Sequence, residues 1–127
     1  RRWIRQSMNY RLFFCINALP KTPNSLLQKH WRANNAEAKK WKRLVWQQCL
    51  SQMPPKILDK AKVTLIRYSS SEPDFDGLVG SFKHVLDGLV EARVIATDKM
   101  SCIGAPTYAW EKVAPKNGRI EITVESL

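Results

Sequence analysis

The chain has 127 residues, of which 44% are hydrophobic. That is the size of one domain, here taken as residues 1–127, with enough apolar material for a core without disulfide or metal staples. No uncharged apolar run approaches the ~18 residues of a membrane span. Arg1-Arg2-Trp3-Ile4-Arg5-Gln6 carries basic charge but neither the apolar stretch nor the small-residue site of a secretory signal. Lys and Arg number 21 against 11 Asp and Glu, a net charge of +10.

The imbalance is uneven. Residues 1–60 carry 13 basic and 2 acidic residues, whereas residues 61–127 carry 8 basic and 9 acidic. A basic half beside a half where acids collect is the pattern of an enzyme that holds phosphates with one and metal ions with the other. Solubility alone is the plainer alternative. Cys15, Cys49 and Cys102 are isolated and odd in number. They argue for a reducing, cytoplasmic setting and against a disulfide framework or a Cys-based zinc site. Residues 1–9 are expected to be a flexible or extraneous segment, with Met8 a candidate natural start.

In chain order, Tyr10 to Ala18 reads as a strand, and its near-continuous apolar run suits a central position. Pro20 and Pro23 stop it. The stretch from Ser25 to Arg32 is either a short helix or an ordered loop. A helix is expected from about Asn35 to Leu50, opened by a capping box of Asn34 and Glu37. Ala38, Trp41, Val45 and Cys49 form its buried stripe, with Trp46 beside them, expected in the core and alternatively a platform for DNA. Lys39, Lys40, Lys42 and Arg43 form its basic face. Ala61 to Tyr68 reads as an interior strand, with Val63, Leu65 and Arg67 on one face. A second helix from about Gly77 to Glu91 carries the stripe Leu78, Phe82, Val85, Leu86 and Leu89. Two strands, roughly Met100 to Trp110 and Arg119 to Glu125, close the chain, with an Asn117-Gly118 hairpin turn between them. The order β-α-β-α-β-β predicts an α+β fold: a small mixed sheet of about four strands with two main helices against it.

No phosphate loop, dinucleotide fingerprint, zinc helix or nucleophile elbow is present. His30 and His84 are far apart and read as surface or local structural residues, so a metal site must be built from oxygen. Glu72-Pro73-Asp74-Phe75-Asp76-Gly77 offers Asp74 and Asp76, which point the same way if the chain is extended, with Asp76 at a helix N-cap. Hard oxygens at this spacing suit Mg²⁺ or Mn²⁺. A solvated acidic loop with a capped helix is the alternative. Asp98, in the connection after the second helix, is expected to return beside Asp74 and Asp76, with a plain turn aspartate as the alternative. Lys83 either steadies a phosphate or pairs with Asp87 one helical turn on.

The segments PDFDGL (73–78), FKHVLDGL (82–89), VIATD (94–98), GRIEITVE (118–125) and ALPKTPN (18–24) together resemble the RusA-like Holliday junction resolvases, endodeoxyribonucleases of phages and prophages. The resemblance covers nearly the whole chain from Tyr10. It implies a homodimer that nicks four-way DNA junctions symmetrically with Mg²⁺. The family's three acidic-site aspartates fall on Asp74, Asp76 and Asp98. Two positions depart from the pattern. Gly77 stands where the family has asparagine, and Gly80 where it has a lysine. The nearest lysine, Lys83, lies three residues later, about 4.5 Å along a helix axis.

The leading expectation is thus a Mg²⁺-dependent, structure-selective endodeoxyribonuclease of the cytoplasm, with Asp74, Asp76, Asp98 and Lys83 as its catalytic set. Lys39, Lys40, Lys42, Arg43 and the arginines Arg1, Arg2, Arg5 and Arg11 are expected to meet phosphates. Trp31, Trp46 and Trp110 are expected to contribute to the dimer. A basic DNA-binding accessory domain with structural carboxylates is the second reading, and a nuclease for ordinary duplex or single-stranded DNA the third.

Overall fold

The computed structural model describes residues 10–22 and 31–127. Arg1, Arg2, Arg5, Met8, His30, most of the 25–32 stretch and the Trp31 side chain lie outside the described part. The elements are β1 (Arg11–Ile16), α1 (Trp31–Cys49), β2 (Ala61–Ser69), α2 (Phe75–Ser81), α3 (Lys83–Glu91), α4 (Met100–Ile103), β3 (Thr107–Lys112) and β4 (Arg119–Ser126). Single 3-10 turns occupy Leu50–Gln52 and Pro115–Asn117. The fold is α+β, with four strands in one mixed sheet.

Strand order is β1-β4-β2-β3. β4 pairs antiparallel with both β1 and β2, and β3 pairs parallel with β2. The period of two sorts the sheet cleanly. Leu12, Phe14 and Ile16, Ala61, Val63 and Leu65, and Ile120, Ile122 and Val124 are all buried on the helix-covered face. Trp41, Val45 and Cys49 of α1, with Phe82, Val85 and Leu89 of α2–α3, complete the same core cluster. Arg67 is buried on that face too, and its Nη1 donates to Pro20 O at 2.7 Å, tying the 18–22 segment to β2.

Several sequence expectations change in the fold. β1 is an edge strand and not a central one, because β4 and β2 take the middle. Its free edge is closed by Gln52, whose Oε1 accepts from Phe13 N–H at 3.1 Å and whose carbonyl accepts from the Tyr10 hydroxyl. The Asn117-Gly118 hairpin does not form. β3 lies along the far side of β2, so the chain must cross the end of β2 before β4 enters between β1 and β2. Gly118 has φ −61°, and a Cβ there would stand 2.8 Å from Leu19 Cδ1, so the glycine serves close packing and not a tight turn.

The Met100–Trp110 strand is two elements. Met100–Ile103 is helical, and Gly104 ends it at φ 61°, which leaves only Thr107–Lys112 to pair. The Gly77–Glu91 helix starts at Phe75 and breaks at Phe82 (φ −93°, ψ 3°), whose ring is fully buried. The Asn34–Glu37 capping box is absent, since α1 already begins at Trp31. Glu37 is instead buried, accepting from Trp41 Nε1 at 2.9 Å and from Lys21 N–H at 3.4 Å.

Helices α1 and α3 run antiparallel, with Lys42 opposite Glu91 and Val45 opposite Gly88. A Cβ on Gly88 would lie 2.9 Å from Val45 Cβ and 3.3 Å from Lys42 Cα. The helix-weakening glycine is therefore the contact point that lets the two helices approach.

Candidate functional site

The acidic segment is shaped by the start of α2. Asp74, not Asp76, is the N-cap: its Oδ1 accepts from Gly77 N–H at 2.7 Å. Asp76 sits in the first helical turn. The chain is thus helical where the sequence suggested an extended pair, and residues two apart in a helix do not face each other. Gly77 is part of this arrangement, because a Cβ there would stand 2.7 Å from Asp74 Oδ1 and 3.8 Å from Thr22 Cγ2. The Arg67-tethered 18–22 segment therefore lies against the same helix start.

Asp98 is brought over by a short parallel bridge. Leu58 N–H donates to Val94 O at 3.0 Å and Ala96 N–H to Leu58 O at 2.9 Å. Beyond it, Lys60 Nζ donates to Ser101 O at 2.7 Å. The 94–101 connection is thereby held on both sides of Asp98. Lys83 Nζ then reaches Asp98 Oδ2 at 3.2 Å and Asp87 Oδ1 at 3.0 Å. The hydrogen bond to Asp87 raises the Lys83 pKa; burial opposes it, and the hydrogen bond to Asp98 adds to the rise. The intrahelical pair with Asp87 weighed from the sequence is present, and the link to Asp98 is an addition that the sequence did not indicate.

Tyr108 on β3 joins the pieces. Its ring is edge-on to Phe75, between the two aspartates, with centroids 6.4 Å apart. It also lies against Phe82, 6.1 Å away at the α2–α3 break. Burial, and then the nearby charge of Asp98, raises the Tyr108 pKa. Nothing in the local sequence marks Tyr108, since its importance comes from the parallel pairing that sets it opposite Leu65.

The donors fit a hard divalent cation in kind. Asp74 keeps Oδ2 clear of the cap, Asp98 keeps Oδ1 clear of Lys83, and Asp76 is exposed. They stand apart, however: among the described residues no three His, Cys, Asp or Glu side chains gather as an ion-holding group. Lys83 is the cation between Asp87 and Asp98.

No family model matches the chain, and no curated protein matches it.

The basic face lies elsewhere, on α1. Lys39, Lys42, Arg43 and Trp46, with Glu91 of α3, line an open concavity of about 550 Å³. Trp46 is 50% exposed and does not belong to the core as its neighbourhood with the apolar stripe suggested. It lies one residue past Val45, rotated out of the stripe. Lys42 Nζ is 2.8 Å from Glu91 Oε2, and Lys40 Nζ lies 5.8 Å from the centre of the Trp41 ring. Arg11 does not join this face. It projects from the opposite side of the sheet, 4.0 Å from Glu125. Trp110 is partly buried against the core and donates from Nε1 to Ser69 Oγ at 2.9 Å. Among the described residues, no helix is long and apolar enough to cross a membrane.

Proposed function

We propose that the chain is a Mg²⁺-dependent, structure-selective endodeoxyribonuclease that acts as a homodimer on four-way DNA junctions in the cytoplasm of a bacterial or phage-infected cell. The observation that carries this reading is the link from Lys83 to Asp98. It ties a carboxylate from a distant connection to α3, and Tyr108, whose ring meets Phe75, lies within reach of the Asp98 charge.

Asp74 Oδ2, Asp76 and Asp98 Oδ1, which stand apart, would have to draw together to hold the ion, with Mn²⁺ as a substitute. When bound, such an ion activates water and stabilises charge on a phosphodiester. Lys83, anchored by two carboxylates, presents a positive charge to the scissile phosphate. Asp87 orients that ammonium from the same helix. The α1 face supplies sequence-independent attraction for the arms. Two such sites related by two-fold symmetry match the symmetry of a junction.

A second reading has its own support. Asp74 caps a helix and Asp98 is neutralised by Lys83, so each has a structural task in a basic DNA-binding domain.

A synthetic four-way junction and a matched linear duplex, each incubated with and without Mg²⁺, separate the two. The nuclease reading expects paired nicks on the junction only with Mg²⁺ or Mn²⁺, and none from Asp76→Asn. Strong cleavage by Asp76→Asn at limiting Mg²⁺ would overturn the ligand assignment. Tight junction binding without nicking under either ion would establish the second reading.

A further inference from the structure

The α1–α3 concavity is separate from the acidic site, and Trp46 stands in it half exposed. Lys39, Arg43 and Trp46 fall at i, i+4 and i+7, so they share one face of α1. Lys42, also one turn before Trp46, is held to the opposite wall by Glu91 at 2.8 Å. That pair neutralises itself, which leaves Lys39 and Arg43 as the uncompensated charges around an indole that is half in solvent. Gly88 fixes how near the two walls stand.

We propose that this groove binds an unpaired DNA strand, with the Trp46 indole stacked on a base and Lys39 and Arg43 on the flanking phosphates. An indole can stack only on a base whose face is free, and inside a duplex both faces are occupied. Stacking of this kind tolerates any sequence, because every base has a π-face. The cationic rim selects a polyanion and disfavours a second copy of a chain whose net charge is +10. A site for unpaired bases directs the protein to branch points, gaps and flaps, and it requires neither metal nor cleavage.

The test uses the full chain in buffer with a chelator and follows the anisotropy of labelled oligothymidylate of about twelve nucleotides. An abasic strand of equal length, a linear duplex and a polyglutamate peptide run beside it. Wild type should bind the oligothymidylate about tenfold more tightly than the abasic strand, a preference of about 1.4 kcal/mol. Trp46→Ala should make the two equal, and Trp46→Phe should keep most of the preference. Lys39→Glu with Arg43→Glu should weaken both strands alike. Equal wild-type binding to both strands would overturn the proposal, as would a preference that survives in Trp46→Ala. Polyglutamate bound as tightly as DNA would make the groove a general polyanion surface and also overturn it. Because Trp46 is half exposed, its variants should keep the wild-type far-ultraviolet circular dichroism. The measurement contains no divalent ion, so loss of the nuclease reading would leave its result standing, and the reverse also holds.

Discussion

Lys83 Nζ lies 3.2 Å from Asp98 Oδ2, although 15 residues separate them, while holding Asp87 at 3.0 Å within its own helix. One ammonium thus compensates two carboxylates from different elements. The lysine side chain is 60% exposed, so the arrangement contributes little to stability. Lys83→Met should change unfolding free energy by less than about 1 kcal/mol. It should slow Mg²⁺-dependent junction nicking at least about tenfold, since electrostatic stabilisation of the phosphate is lost. Chemical denaturation and single-turnover nicking read the two effects separately, and nicking at the wild-type rate would remove Lys83 from the reaction.

Asp74 and Asp76 should separate in stability though not in activity. Asp74→Ala removes the acceptor for Gly77 N–H and should cost about 1 kcal/mol. Asp74→Asn keeps a capping oxygen and should cost only a few tenths. Asp76→Ala should stay within about 0.5 kcal/mol of wild type. All three should lose nicking if both residues hold the ion. Urea melts beside the junction assay check this, and full nicking by Asp74→Asn would assign Asp74 to the cap alone.

Gly88→Ala tests the helix approach. Helix propensity favours the change by about 1 kcal/mol. The added Cβ, 2.9 Å from Val45 Cβ and 3.3 Å from a backbone atom of Lys42, opposes it by overpacking that costs about 1–3 kcal/mol. A net loss of about 1 kcal/mol is expected, together with weaker binding of the oligothymidylate as the groove walls move apart. A more stable variant with unchanged binding would show that α1 and α3 separate without consequence.

Alkaline pH should destabilise the fold through Cys49 and Tyr10. Burial pushes the Cys49 thiol from an ordinary 9.0 to about 11. Burial, and then the neighbouring Cys49, pushes the Tyr10 hydroxyl from 10.0 to about 12. Both folded values lie above the unfolded ones, so the contribution is complete below pH 9.0 and is lost as pH rises toward about 12, where the unfolded chain releases protons first. Denaturation midpoints should hold from neutrality to about pH 8.5 and then decline. Tyr10→Phe should be less stable at neutral pH, for want of the bond to the Gln52 carbonyl, and should decline less steeply above pH 10.0. An equally steep decline in Tyr10→Phe would exclude Tyr10 as a source.

Local periodicity carries much of the fold. The buried sets on β2, β4, α1 and α2–α3 follow from spacings of two and of three to four, because alternate strand residues and successive helical turns must face one environment. The α+β class follows from the order of those segments. The acids at 74, 76 and 98 and the basic face of α1 are legible for the same reason, since charge is a property of the residue. Which surfaces meet depends on long-range packing. β3 pairs in parallel with the far side of β2, so β4 is not its hairpin partner and enters between β1 and β2, which overrides the local turn signal of Asn117-Gly118. Phe82 breaks a helix that its own periodicity would continue, as its buried ring lies against Tyr108. Trp46 faces solvent, Asp74 takes the cap from Asp76, and Lys83 finds Asp98, because side-chain direction depends on where each helix begins and on what packs across from it.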